Sequence, residues 1–289
     1  HNLIKIVMDK RILLPTDYSK NALNAIRYAL ELYKDVRCDF YFLNAFHASG
    51  YSLDSLMVAE KGEHYYEAAK LESQKGMDRL IEVLRLHPKN DKHNFHTVCT
   101  FNSLLVAVEE VLKAKDIDII VMGTKGITDS SNAILGTNTV GIMEKITQCP
   151  TIAVPSGFSF SPPKEIVFPT DYKTPFRRKE LNYMFEIAKM HDSSIRVLHM
   201  EKKDKLNNGQ ENNKALLEDM MKGIDNSFHT LTKVKVSEGL EVFIESRDSD
   251  MVAFLNRKHR FFGSILSNPL IKEIGYDSKI PILVLKDNS

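Results

Sequence analysis

Tryptophan is absent from this 289-residue chain, and cysteine occurs only three times, at Cys38, Cys99 and Cys149. Three cysteines so far apart form no C-x-x-C pair. That excludes a disulfide framework and a thiolate zinc site, and it fits a reducing cytoplasm. An excess of charge is also missing, since 39 basic residues against 38 acidic ones leave a formal net charge of +1. No global field therefore draws the chain onto nucleic acid or an anionic membrane. No apolar run approaches the roughly 20 residues needed to cross a bilayer. The opening HNLIKIVMDKR lacks the long apolar core of a secretory signal, and Met8 is the expected initiator. Catalytic strings are missing too: there is no G-x-S-x-G elbow, no H-E-x-x-H helix, no Walker G-x-x-x-x-G-K-[ST] loop and no G-x-G-x-x-G fingerprint. His93 and His96 in HNFH have loose metal-like spacing, but no Cys or acidic cluster completes a site, so they read as surface histidines. No catalytic residue and no metal ligand is assigned.

What is present is an ordinary globular composition, 27% charged and 43% apolar, at a length that suggests about two domains. The chain repeats itself. Residues 11–19 read RILLPTDYS and residues 165–173 read EIVFPTDYK; ITQCPTIAVP at 146–155 is echoed by SKIPILVLK at 278–286. Between the copies, SGFSFSPPK at 156–164 has the Ser, Gly and paired prolines of a linker. The expected division is into domains 1–157 and 158–289. In the first copy, apolar runs at Ile12–Leu14, Phe40–Leu43, Phe95–Thr100, Ile117–Met122 and Thr151–Val154 read as strands. Helical periods separate them, including a long one from about Glu60 to Leu86 that Pro88 helps to end. The second copy repeats the pattern, with Arg196–His199 and Met251–Leu255 as central strands. Strands alternating with helices predict an α/β fold of two tandem open, doubly wound parallel sheets. Met184, Met190, Met220 and Met221 read as packing residues.

The most informative stretch is VMGTKGITDSSNAILGTNTVGIMEK, residues 121–145. Gly123 directly follows a buried strand, where a glycine allows positive φ and close approach of a ligand. Gly126 lies three residues on and Gly136-Thr137 ten further, after which the pattern turns helical. Thr137, Asn138 and Thr139 then surround a helix N-terminus, whose free N–H groups and dipole favour a phosphate. The G-x-x-G-x9-G-T pattern resembles the nucleotide signature of the universal stress protein family. Pro15-Thr16-Asp17 after the first strand, IDIIVMG before the glycines and CPTIAVP at the end resemble it as well, over nearly all of residues 9–155.

That resemblance implies the adenine nucleotide α-hydrolase-like fold, five strands in order 3-2-1-4-5, with ATP at the carboxyl ends of strands 1 and 4, where strand order reverses. It places Asp17, with Pro15 and Thr16, near adenine and ribose, and Ala45 where its backbone meets the adenine. Met122, Gly123, Gly126, Gly136, Thr137 and Asn138 hold ribose and phosphates. Asn44 stands where the family usually has His or a similar residue. Asp17 is also suited to capping the helix that starts near Ser19, and Lys125 is either a phosphate contact or a solvated loop residue. ATP, with Mg²⁺ as an optional companion, is the implied cofactor. The implied role is a cytoplasmic stress-response regulator or adaptor acting through a protein partner not identified by sequence; slow ATP hydrolysis or a nucleotide-stabilised scaffold are the alternatives. Family pairing through the last strand implies that Thr151–Val154 and Ile282–Leu285 lie side by side as an intramolecular pseudo-dimer, with a homodimer still open to the whole chain.

The second copy reads as having lost the cradle. Aligning Asp118 with Asp250 puts Leu255 at Gly123 and Lys258 at Gly126, leaving Gly263-Ser264 as a remnant beside bulky Phe261 and Phe262. Asp171 in PTDY is expected to keep a helix start rather than a site. One nucleotide per chain, in the first domain, is the expectation.

Overall fold

Ten short apolar segments become ten strands in a computed structural model that describes residues 9–47, 64–125, 136–201, 205–256 and 278–286. The first copy supplies β1 (Lys10–Pro15), β2 (Cys38–Phe46), β3 (His93–Phe101), β4 (Ile119–Gly123) and β5 (Thr151–Val154). The second supplies β6 (Glu165–Pro169), β7 (Ser194–Glu201), β8 (Asn226–Thr232), β9 (Met251–Asn256) and β10 (Ile282–Lys286). Helices α1 (Lys20–Leu32), α2 (His64–Arg85), α3 (Leu104–Lys115) and α4 (Thr137–Lys145) belong to the first half. Helices α5 (Arg178–His191), α6 (Asn208–Met220) and α7 (Val236–Arg247) belong to the second. One sheet runs through the molecule in the order β3-β2-β1-β4-β5-β10-β9-β6-β7-β8, so each half has the expected 3-2-1-4-5 order. Within each half the strands are parallel. The halves join where β10 pairs antiparallel with β5, Ile282 opposite Ala153 and Val284 opposite Thr151. Each copy's last strand thus covers an edge that the other would leave open.

Period-two alternation sorts the strand side chains onto two faces. Ile12, Leu14, Val121, Ile152, Ile166, Phe168, Leu283 and Leu285 enter one core that runs unbroken across both halves beneath α1, α2 and α5. Opposite it, Leu13, Ile120 and Met122 pack with Val108 and Val111 of α3. Val167, Val252, Ile282 and Val284 pack with Leu240 and Phe243 of α7. Each such fully buried aliphatic chain stabilises by roughly 1.5–3 kcal/mol, so the shared core holds the two copies together. Met184 and Met221 are fully buried and Met190 and Met220 half-buried against this core, as expected of packing residues.

Outside the first copy's cleft, the structure differs from the sequence expectations in three places. The segment 156–164 is a packed strap, because Phe158 and Phe160 stand edge-on to Tyr28 at 5.9 and 5.4 Å. Asn24 Nδ2 also donates to the Phe158 carbonyl at 2.9 Å. His93 is not a free surface histidine: its ring meets Phe40 edge-on and bonds the Tyr33 carbonyl at 3.1 Å, and burial lowers its pKa. His96, on the other face of β3, is exposed, stacks on Tyr41 and bonds Asp39 at 2.9 Å. Odd spacing on a strand sends the two rings to opposite faces, and among the described residues no group of three or more His, Cys, Asp or Glu is arranged to hold a metal. Asp171, finally, does not begin a helix: α5 starts only at Arg178, where Glu180 accepts from the Arg177 amide at 3.0 Å. Pro175 disfavours helical backbone at Thr174 and delays the start.

Candidate functional site

The Pro-Thr-Asp-Tyr sequence builds the same turn twice. Thr16 Oγ1 accepts from the Tyr18 amide at 3.0 Å, and Asp17 Oδ1 accepts from the Ser19 amide at 3.0 Å. In the second copy Thr170 and Asp171 accept from Tyr172 and Lys173 at 3.1 and 3.0 Å. Both tyrosines take positive φ, 63° at Tyr18 and 56° at Tyr172. Such local side-chain bonds are what tolerate a left-handed residue there. In the first copy the cap of α1 is Ser19, whose hydroxyl accepts from the Ala22 amide at 3.1 Å. Asp17 shapes the turn before the cap, and the alternative reading of it as the cap itself is corrected accordingly.

A buried hydrogen-bonded chain holds this turn. Asn44 Nδ2 donates to the Thr16 carbonyl at 2.7 Å, Ser73 Oγ donates to Asn44 Oδ1 at 2.7 Å, and the Tyr18 hydroxyl donates to the Ser73 carbonyl at 2.6 Å. Burial pushes the Tyr18 phenol well above its ordinary pKa, so it remains a donor. In α2, Gly76 leaves the space into which the Tyr18 ring fits, and a Cβ there would overlap the ring. His199 takes the corresponding place in the second copy, bonding the Thr170 carbonyl at 2.9 Å. Asn44 therefore does the work of that His: it fixes the end of β2, so that the next residue, Ala45, faces the cleft.

At the carboxyl ends of β1, β2 and β4 lies a cavity of about 100 Å³. Of the residues singled out from sequence, Pro15, Thr16, Asp17, Ala45, Met122, Gly123 and Asn138 line it. Lys125 lines it too, joined by Thr139, which the sequence placed at the helix start, and by Ala22 and Leu104, which it did not single out. An adjoining cavity of about 480 Å³, reaching towards Phe46, Tyr65 and Glu72, shares Asp17 and Ala45 with it. Gly126, the hydroxyls of Ser130 and Ser131 that could accept phosphate, and in the second copy Lys258, Phe261, Phe262 and Gly263, lie outside the described residues.

The glycines act differently from the expectation. Gly123 is not among the glycines with positive φ. Its missing Cβ instead makes room for α1, since a methyl there would stand 3.1 Å from the Asn21 carbonyl oxygen. Gly136, at φ −62°, spends its amide on the Thr124 carbonyl at 2.6 Å, so that N–H does not face a ligand. The amides left over belong to the first turn of α4. Among the described residues no side chain caps this helix, whose N-cap is Gly136, and Thr137 and Asn138 at its start are exposed. First-turn amides have no partner within their own helix, and this turn borders the cavity through Asn138 and Thr139. Thr139 ties this helix start to the sheet, its buried hydroxyl donating to the Gly123 carbonyl at 2.9 Å. Nothing in the sequence distinguished it from its neighbour Thr137.

The two copies diverge at this cleft. By strand register, Leu255 and Met200 occupy the positions of Gly123 and Ala45. The leucine goes with a helix that starts further along the chain, so α5 does not need the close approach that α1 makes to Gly123.

Compared with known families, residues 8–155 match the universal stress protein family, a span just over half of the chain. Among solved structures, the chain is similar to a universal stress protein from Archaeoglobus fulgidus DSM 4304, with a TM-score of 0.69 at 15% identity over 96% of both chains. It is also similar to a protein described as a universal stress protein from Pseudomonas aeruginosa UCBPP-PA14, with a TM-score of 0.59 at 11% identity over 96% of this chain and 93% of that one. At such identities the likeness is one of fold. No curated protein matches the sequence. Among the described residues, no helix is long and apolar enough to cross a membrane.

Proposed function

We propose, from the premise that this chain belongs to the universal stress protein family, that it binds one adenine nucleotide, ATP in the first instance, in the cleft of its first copy. We read the chain as two domains, 1–157 and 158–289, of which the second has lost its own nucleotide cradle. The carrying observation is that five separated segments meet at one cavity whose wall includes a helix start with no side-chain cap among the described residues. Residues 15–17 and Ala45 offer a polar turn and a small side chain to a base and ribose. The first turn of α4 offers amides and the positive end of its dipole to phosphates, with Lys125 on the same wall. Asp17 is the acidic residue on that wall, so a Mg²⁺ ion would arrive bound to the triphosphate, with Asp17 as its protein-side anion. In the second copy Met200 and Leu255 bring bulk where the first copy has Ala45 and Gly123, which supports a stoichiometry of one.

The role that follows is a cytoplasmic binding module, a stress-response regulator or adaptor whose surface for a partner depends on occupancy. Among the described residues the cavity wall holds no pair of a base and an adjacent nucleophile, and hydrolysis is at most slow. Calorimetric titration of ATP into the whole protein, alongside Asn138→Asp, tests the reading. A carboxylate at the start of α4 suits the helix dipole but repels a triphosphate, so ATP affinity is expected to fall at least about tenfold with the melting temperature unchanged or raised. Equal affinity of the two proteins would remove α4 from the site.

A further inference from the structure

At the opposite end of α4 an ammonium is buried. Lys286 ends β10, and its alternation with Ile282 and Val284 sends the side chain onto the face where those residues pack with Met143 of α4. It is only 3% exposed. Its Nζ donates to the Met143 carbonyl at 2.5 Å. Asn256, paired with Lys286 across β9 and β10, donates to the same carbonyl through Nδ2 at 3.2 Å. Met143 lies in the last turn of α4, where carbonyls have no partner within the helix. Both donors come from the second copy; the helix belongs to the first.

Burying a lone ammonium in an apolar layer is expensive unless something answers it. Among the described residues no carboxylate forms an ion pair with Lys286. What answers it is a helix C-terminus, the place where a cation is favourable. The nine residues of α4 span about 13 Å at 1.5 Å per residue. The first copy fixes one end, through Thr139 to Gly123 and Gly136 to Thr124. The second copy fixes the other.

We infer that Lys286, with Asn256, is a positioning residue for the nucleotide site of the other copy: it anchors α4 from behind and adds a positive charge to the axis that points at the phosphates. This rests on the nucleotide reading above and gives the second copy a task that needs no ligand of its own. It also explains why a strand end in a sheet junction carries a buried lysine where an apolar residue would cost less.

The charge state supplies the readout. Burial lowers the Lys286 pKa from 10.5 to about 8. Among the described residues the titratable neighbour that acts on it is Cys149 before β5, whose thiol burial raises to about 12, so it stays neutral over the range tested. Glu144 and Lys145 at the end of α4, and Glu238, Glu241 and Glu245 on α7, are exposed, and Asn256 on β9 is neutral. A lysine whose folded pKa lies below its unfolded value gains stability for the fold as pH rises from the folded to the unfolded value. ATP affinity is expected to move the opposite way over that window, because the axis loses its charge. A unit charge some 15 Å away, at an effective dielectric of about 20, changes anion affinity by roughly three- to sixfold once partial screening is allowed for.

The experiment is calorimetric titration of ATP into the full chain between about pH 7 and pH 9.5, in wild type, Lys286→Met and Asn256→Ala. The expected result is an affinity in wild type that falls several-fold across the window. Lys286→Met should show the weakened affinity throughout, free of that fall, with an unliganded melting temperature no lower than wild type. Asn256→Ala should weaken binding while keeping the pH dependence, and it carries the anchoring half of the test should the methionine variant misfold. Wild-type binding that Lys286→Met reproduces in strength and in pH profile overturns the inference alone. Absence of saturable binding by wild type overturns the nucleotide reading and takes this inference with it.

Discussion

Glu165 and Arg11 occupy the same place in the two copies, one residue before the apolar run of the first strand, and they make opposite uses of it. Glu165 accepts both arms of Arg247, at 2.8 and 2.7 Å, together with Arg196 at 3.0 Å and Ser249 at 2.8 Å. Its side chain is 13% exposed. Burial by itself would raise its pKa, but the hydrogen bonds from Arg247, Ser249 and Arg196 outweigh it and hold the carboxyl down from 4.5 to about 2. Arg11 pairs with Asp116 at 3.3 Å, with side chains 46% and 89% exposed. At about 1.4 kcal/mol per pKa unit, the Glu165 shift corresponds to about 3 kcal/mol at neutral pH. Solvent at the half-exposed Arg247 reduces that to about 2–3 kcal/mol. A depressed carboxylate contributes stability above its unfolded pKa and loses it as pH falls through the folded one. The contribution is therefore whole at about pH 7, has dropped to about 1 kcal/mol at pH 3, and is gone below about pH 2. Urea unfolding followed by circular dichroism at pH 7 and pH 3 should show Glu165→Gln costing about 2–3 kcal/mol at the higher pH and about 1 kcal/mol at the lower one. Arg11→Gln should cost less than about 1 kcal/mol at both, as exposed pairs do. Equal costs for the two variants at neutral pH, or a Glu165→Gln cost that ignores pH, would refute this reasoning.

Two further predictions concern the first copy. Gly76→Ala places a methyl on the Tyr18 ring, so it should destabilise the protein by about 1–3 kcal/mol in the same unfolding assay, as overpacking does. It should also weaken ATP binding, because Tyr18 carries the turn that presents Asp17; a stable variant with undiminished binding would break that link. For the cysteines, burial pushes the thiols of Cys38 and Cys149 up to about 12, while Cys99 is half-buried. Mass mapping after brief native alkylation near about pH 8 should find Cys99 modified first, since only a thiolate attacks; early labelling of Cys38 or Cys149 would contradict the buried placement.

Much of the architecture was legible because it is written in apolar runs and written twice. Ile119–Met122, buried on both faces, needs no partner to be read as a central parallel strand, and the echo of RILLPTDY in EIVFPTDY exposes the duplication. The pairing of Thr151–Val154 with Ile282–Leu285 was legible only through the family resemblance, since neither segment states which edge it covers. The cleft was legible as a set of residues more than as a set of roles. Asp17, Ala45, Gly123 and Asn138 do converge. What spacing does not encode is three-dimensional supply and demand: that the Gly136 amide is taken by Thr124, that Gly123 serves the approach of α1, and that Ser19 is the cap. The start of α5 was misread because the repeat of PTDY outweighed the proline four residues beyond Asp171. Lys286 was invisible for a related reason, since a lysine closing a strand looks like any solvated end until the other copy's helix is seen above it.

Native mass spectrometry of the intact chain titrated with ATP measures the central claim most directly. A single saturable ATP adduct per chain is expected, lost on Asn138→Asp and kept on the corresponding change of an exposed residue outside the first cleft, such as Asn212→Asp on α6. Two adducts, or none at ligand concentrations well above those of ordinary nucleotide sites, would contradict a lone anion pocket at the start of α4.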